Sequence, residues 1–192
     1  MNSKNSVLES IKKAKLKPTP RPTLEIKHVE YEDRDEQFST VLKSVGGLAS
    51  WIKSGESIEN FIENNYDNLG TIATNLDLDI AHIKINDIDD PHFLKDTDLS
   101  VIEGEFAVAE NGAVWVREKN NKNRAIYFIA RKLLILVPRG EIVDSMHEAY
   151  KRINFKDGGY GTFISGPSKT ADIEQALVIG AHGAIECRVL FV

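Results

Sequence analysis

With 192 residues, 42% of them hydrophobic, the chain is long enough to bury one full core and too short for two ordinary domains. A charged fraction of 28% and a formal net charge of -5 exclude a general electrostatic attraction to nucleic acid or to an anionic membrane. No apolar run approaches the ~20 residues of a membrane span, and the opening MNSKNSVLESIKK has neither the apolar stretch nor the cleavage site of a secretory signal, so a cytoplasmic location is expected.

In SVLESIKKAKLK, Val7, Leu8, Ile11 and Ala14 recur at helical spacing, while Lys12, Lys13, Lys15 and Lys17 crowd the remaining face. Prolines 18, 20 and 22 then force an extended connection. Residues 1–30 therefore read as a basic helix and a proline-rich arm, and 31–192 as the globular domain. The helix suits either a partner or its own subunit.

A helix is expected from Asp33, with Phe38, Val41 and Leu42 inward and a stop at Gly46. LASWI is a short strand, Ser57 starts a second helix with Ile58, Phe61 and Ile62 inward, and TIAT (71–74) is the next strand. Between 76 and 100 there are strand-like pieces among Asp87, Asp89, Asp90, Asp96 and Asp98; the order lacks the calcium-loop pattern, so a solvated acidic loop is expected. EFAVAENGAVWVRE reads as two apolar strand pieces around Glu-Asn-Gly. LLILV (133–137), a continuous apolar run ending at Pro138, reads as a central parallel strand buried on both faces. EIVDSMHEAYKRI reads as one amphipathic helix with Ile142, Val143, Met146, Tyr150 and Ile153 inward; FIS is a strand, ADIEQALVI a short helix, and CRVLFV a final strand. The alternation predicts an α/β fold of three layers, a mostly parallel open sheet with helices on both faces.

Single Cys187 excludes an internal disulfide and a self-ligated iron–sulfur cluster, which commonly needs about four thiolates. Lying in ECRVLFV, it is expected to be buried and inert. Five scattered histidines lack the spacing of a zinc site, and no metal is expected on this chain.

Two segments at strand ends could carry chemistry. In AENG (109–112), Glu110 could serve as a nucleophile toward an acyl group or as a general base, with Asn111 and the backbone beside Gly112 binding oxygen. Asn-Gly is equally a hairpin signal, and the hairpin with an exposed Glu110 is the favoured reading. In FISGPSKTADIEQALVIGAHG (163–183), Gly166 and Pro167 end a strand, and Ser168, Lys169 and Thr170 precede a helix start, a combination suited to a carboxylate or phosphate. Asp172 with Gln175 reads as a capping box, which satisfies the helix without a ligand and leaves Ser168 to Thr170 free. Ser165 belongs to the same loop, and His182, between Gly180 and Gly183, reads as a turn histidine bonded to backbone.

ISGPSKTADIE (164–174) with LVIGAHG (177–183), and FAVAENGAV upstream, closely resembles the LUD-domain family of lactate-utilisation proteins over roughly residues 35–192. The chain departs from the family pattern at Asn111 and Ala113, where threonines are usual, and at Ala184, where proline is usual. The resemblance implies a fold of the NagB/RpiA/CoA-transferase-like type and a part in oxidising L-lactate to pyruvate beside two partner proteins that carry iron–sulfur clusters. No cofactor is expected on this chain itself; expected ligands are a small carboxylate or other anion, and a homo-oligomer is left open. Glu-Asn-Gly also resembles the Ser-Glu-Asn-Gly motif of CoA-transferase subunits, whose glutamate forms an acyl thioester, although Ala109 replaces the serine. A scaffold or regulatory subunit without chemistry is the third reading.

Overall fold

A computed structural model describes residues 3–14, 20, 29–118, 122–154, 159–169, 180 and 183–192. Helix α1 (Ser3–Lys13) buries none of its residues, and Val7, Leu8 and Ile11 of its apolar stripe are exposed. Helix α2 (Arg34–Ser44) starts where Asp33 accepts a hydrogen bond from the Glu36 amide (2.9 Å). It ends at Gly46, whose φ of 86° lets the amides of Gly46 and Gly47 reach back to the carbonyls of Lys43 and Leu42. Ser57 caps α3 (Ile58–Asn65) in the same way, through the Asn60 amide.

Six parallel strands form the first sheet: β1 (Leu48–Trp51), β2 (Thr71–Thr74), β3 (Ile83–Lys84), β4 (Thr97–Glu103), β7 (Lys132–Val137) and β10 (Glu186–Phe191). Their order is β1-β10-β7-β4-β2-β3, so LLILV is central as expected. Alternate residues point to opposite faces, and both faces are buried. Leu133, Ile135, Val137, Val189 and Phe191 meet Phe38 and Leu42 of α2, while Leu134, Leu136 and Leu190 meet Phe61 and Ile62 of α3. Each such side chain contributes about 1.5–3 kcal/mol by leaving water.

The second sheet, of four strands, comprises β5 (Phe106–Val108), β6 (Ala113–Arg117), β8 (Ile142–Val143) and β9 (Gly161–Ile164) in the order β8-β5-β6-β9. One face, with Ala107, Val114 and Val116, joins α2 in covering the first sheet. The other, with Phe106, Val108 and Trp115, packs on α4 (Met146–Arg152). The architecture is thus α/β with a parallel main sheet, and one covering layer is shared between a helix and a second sheet.

Two expectations change here. EIVDSMHEAYKRI is not one helix: Ile142 and Val143 pair in parallel with Ala107 and Val108, and the helix starts only at Met146. Tyr150 is accordingly exposed. FAVAE and AVWVR do pair as a hairpin, with Val108 opposite Ala113, but the loop is the four residues Ala109–Gly112. The expected helix ADIEQALVI (171–179) lies outside the described residues.

Candidate functional site

The second sheet decides which loops meet. Strands β5 and β8 are parallel, β6 returns from β5, and β9 runs antiparallel to β6. The exits of β5, β8 and β9 therefore lie at one end, beside the entry of β6. Both candidate segments follow strands of this sheet rather than of the parallel one.

The hairpin turn is closed by the Gly112 amide on the Val108 carbonyl (3.0 Å), and Asn111 Oδ1 accepts from the Ala113 amide (3.1 Å). Gly112 needs to be glycine for two reasons: its φ is 65°, and a Cβ there would lie 3.0 Å from the backbone of Leu42 in α2. The turn is held from the β8 side as well, where Ala109 N–H donates to Val143 O (2.8 Å) and Glu110 N–H to Asp144 O (3.0 Å). The Glu110 side chain reaches onward to accept from the Met146 amide (2.8 Å), the first residue of α4. Ser145 occupies the N-cap position of that helix but makes no capping bond, so Glu110 does that work from another element.

Behind this turn lies a pair that the sequence did not reveal. The Asp144 carboxylate, 1% exposed, accepts from the Tyr31 amide (3.1 Å) and from Nε (2.8 Å) and Nη2 of Arg34. The hydrogen bonds that Arg34 donates to the Asp144 carboxylate stabilise its charged form and raise its pKa above the already high ordinary value. Asp144 N–H in turn donates to Glu148 (3.0 Å). Residues 110 positions apart thus fix the backbone that holds Glu110, and that separation left no local pattern to read.

On the β9 side, Ser165 Oγ donates to the Asn111 carbonyl (2.8 Å) and joins the two segments. Gly166 has φ 70°, and a Cβ there would come within 2.9 Å of the Val45 carbonyl; a Cβ at Gly47 would lie 3.3 Å from the Gly166 Cα. Lys169 Nζ donates to that same Val45 carbonyl at the end of α2, where a cation complements unpaired carbonyls. Ser168 is held by its backbone, with its amide on the Ala184 carbonyl (2.8 Å) and its carbonyl accepting from Gly180 N–H (3.0 Å). Thr170, Asp172 and His182 lie outside the described residues.

Asn111, Gly112, Ser165 and Gly166 are therefore brought together. Glu110 and Lys169 leave the meeting point in different directions, one to the start of α4 and one to the end of α2. An anion bound by Lys169 would have to replace the Val45 carbonyl. Cys187 lies beneath the loop, bonded by the Gly166 amide; burial pushes its thiol up to about 12, so it is not a nucleophile at neutral pH. Among the described residues no group of three or more His, Cys, Asp or Glu is placed to hold a metal, and no helix is long and apolar enough to cross a membrane.

Several known proteins are similar. Lactate utilization protein C of Geobacillus kaustophilus is 34% identical over 94 residues, covering 46% of this chain and 39% of that protein. The Shouchella clausii protein of that name is 32% identical over 94 residues (46% and 41%), and lactate utilization protein C 1 of Bacillus mycoides is 33% identical over 110 residues (54% and 47%). The chain thus spans less than half the length of each of these relatives. A crystal structure of a DUF162 family protein from Deinococcus radiodurans matches with a TM-score of 0.63 at 15% identity, over 83% of this chain and 98% of that one, which is a likeness of fold. The LUD domain family matches residues 91–192, more than half of the chain and inclusive of both the Glu110 turn and the Ser165–Lys169 loop, and the chain belongs to that family.

Proposed function

We propose that this chain is a lactate-utilisation subunit resembling lactate utilization protein C, which takes part in oxidising L-lactate to pyruvate beside iron–sulfur partner proteins. It binds a small carboxylate or another anion at the loops around Asn111, Ser165 and Lys169. The observation that carries this reading is the family match over residues 91–192, which spans both loops. Removing two electrons and two protons from lactate gives pyruvate. A chain with one buried cysteine has no thiolate set for a cluster, so the electrons pass to clusters in the partners. Lys169 supplies the positive charge for the anion, with the Ser168 hydroxyl beside it in sequence.

Deleting the gene is expected to abolish growth on L-lactate, and affinity purification from native cells is expected to retain iron–sulfur proteins. Normal growth together with recovery of the chain without such proteins would remove this reading. Lys169→Ala is expected to weaken pyruvate binding about tenfold. Glu110→Gln separates the rival use of Glu110 as an acyl nucleophile: lactate-dependent growth persists under the present reading and is lost under the rival.

A further inference from the structure

Far from those loops, at the β2–β3 edge of the main sheet, a cleft of about 450 Å³ opens between the last turn of α3 and residues 79–82. Its size lies within the range of small-molecule sites. Ile62, Leu69, Ile72, Ile80 and Ala81 give it aliphatic walls, with the Tyr66 ring among them.

The charges on this cleft are of one sign. Glu63 and Asp79 line it, both exposed, and neither forms an ion pair with a described residue. His82, which also lines the cleft, is tied back to β2: its Nδ1 accepts from the Ile72 amide (3.2 Å) while its own amide donates to the Ile72 carbonyl (3.0 Å). The negative end of the α3 dipole faces the same place, and the last turn of α3 carries no basic residue to offset it. Two cations, Arg188 and Lys132, lie over the Tyr66 ring at 5.2 and 5.5 Å, but Arg188 is already bonded to Asn65 (2.6 Å) and neither lines the cleft.

We propose that this cleft binds a small organic ammonium, its apolar body against Ile62, Ile72 and Ala81 and its cationic head between Glu63 and Asp79. Aliphatic walls alone would accept any compact apolar molecule; the unpaired carboxylates and the helix end select the cation and reject a carboxylate.

The test uses the full chain and three probes on one skeleton: cyclohexylammonium, cyclohexanol and cyclohexanecarboxylate, titrated at pH 7 and followed by amide chemical shifts. Cyclohexylammonium is expected to bind about tenfold more tightly than cyclohexanol, with shifts centred on Ile62, Ile72 and His82, and the carboxylate most weakly. The difference is expected to shrink in high salt. Combined Glu63→Gln and Asp79→Asn is expected to remove the preference for the ammonium and leave cyclohexanol binding unchanged. Ala81→Phe, at a half-buried position, is expected to block all three. No binding of any probe, an ammonium bound no more tightly than the alcohol, or a preference that survives the Glu63/Asp79 exchange would overturn the proposal.

Discussion

Asp144 is a buried carboxylate whose satisfaction depends on a residue more than a hundred positions away. Truncating Arg34 to alanine takes the cation from that carboxylate, and the expected loss is about 2–4 kcal/mol in urea unfolding. Arg34→Lys, which cannot reproduce the two-pronged geometry, is expected to recover only part of it. Cys187 and Tyr66 make a second, separate prediction. Burial pushes the thiol from 9.0 up to about 12 and raises the phenol above its ordinary 10.0 as well. The unfolded chain therefore releases protons that the folded chain retains, so stability is full below about 9 and falls as pH rises toward 12. Urea midpoints measured between pH 8 and 11 are expected to fall, and Cys187→Ala to flatten part of that fall. A midpoint independent of pH would contradict the burial of both groups.

Turns and caps set how the elements meet, and here two glycines can be compared. Both Gly55 and Gly112 have positive φ, but a Cβ at Gly55 meets nothing within 4 Å whereas one at Gly112 meets the α2 backbone at 3.0 Å. Gly55→Ala is expected to cost about 1 kcal/mol and Gly112→Ala about 3 kcal/mol, measured by thermal unfolding. The same scale shows what the sequence made legible. LLILV could be placed as a central strand because both of its faces are buried, so no polar residue interrupts the run. Ile142–Val143 reads as part of a helix because two strand residues followed at once by an amphipathic helix share its apolar spacing. Asp144 and Ser145, both cap-type residues in mid-run, were the sign of a break. At the site, the chemistry of Ser165 and Lys169 was readable, but their partners were not: the Asn111 and Val45 carbonyls are backbone groups, identical in every residue type, and only the fold selects them.

For the molecule as a whole, charge is unevenly divided. Residues 1–30 carry seven basic and three acidic side chains, and residues 31–192 carry seventeen and twenty-six, a net +4 against -9. Because α1 buries none of its residues, removal of residues 1–28 is expected to move the thermal midpoint by less than about 2 °C. A larger fall would mean that the helix docks on the domain. The position of β10 has a consequence in time. Although late in the chain, it lies between β1 and β7 and is paired with both from Leu48 to Val137. During synthesis β1 has no neighbour to join, and the main sheet cannot close until Phe191 has cleared the ribosome. The sheet therefore closes last at its own middle, and a ribosome stalled before Glu186 would display β7 with one edge open, a surface that chaperones must cover.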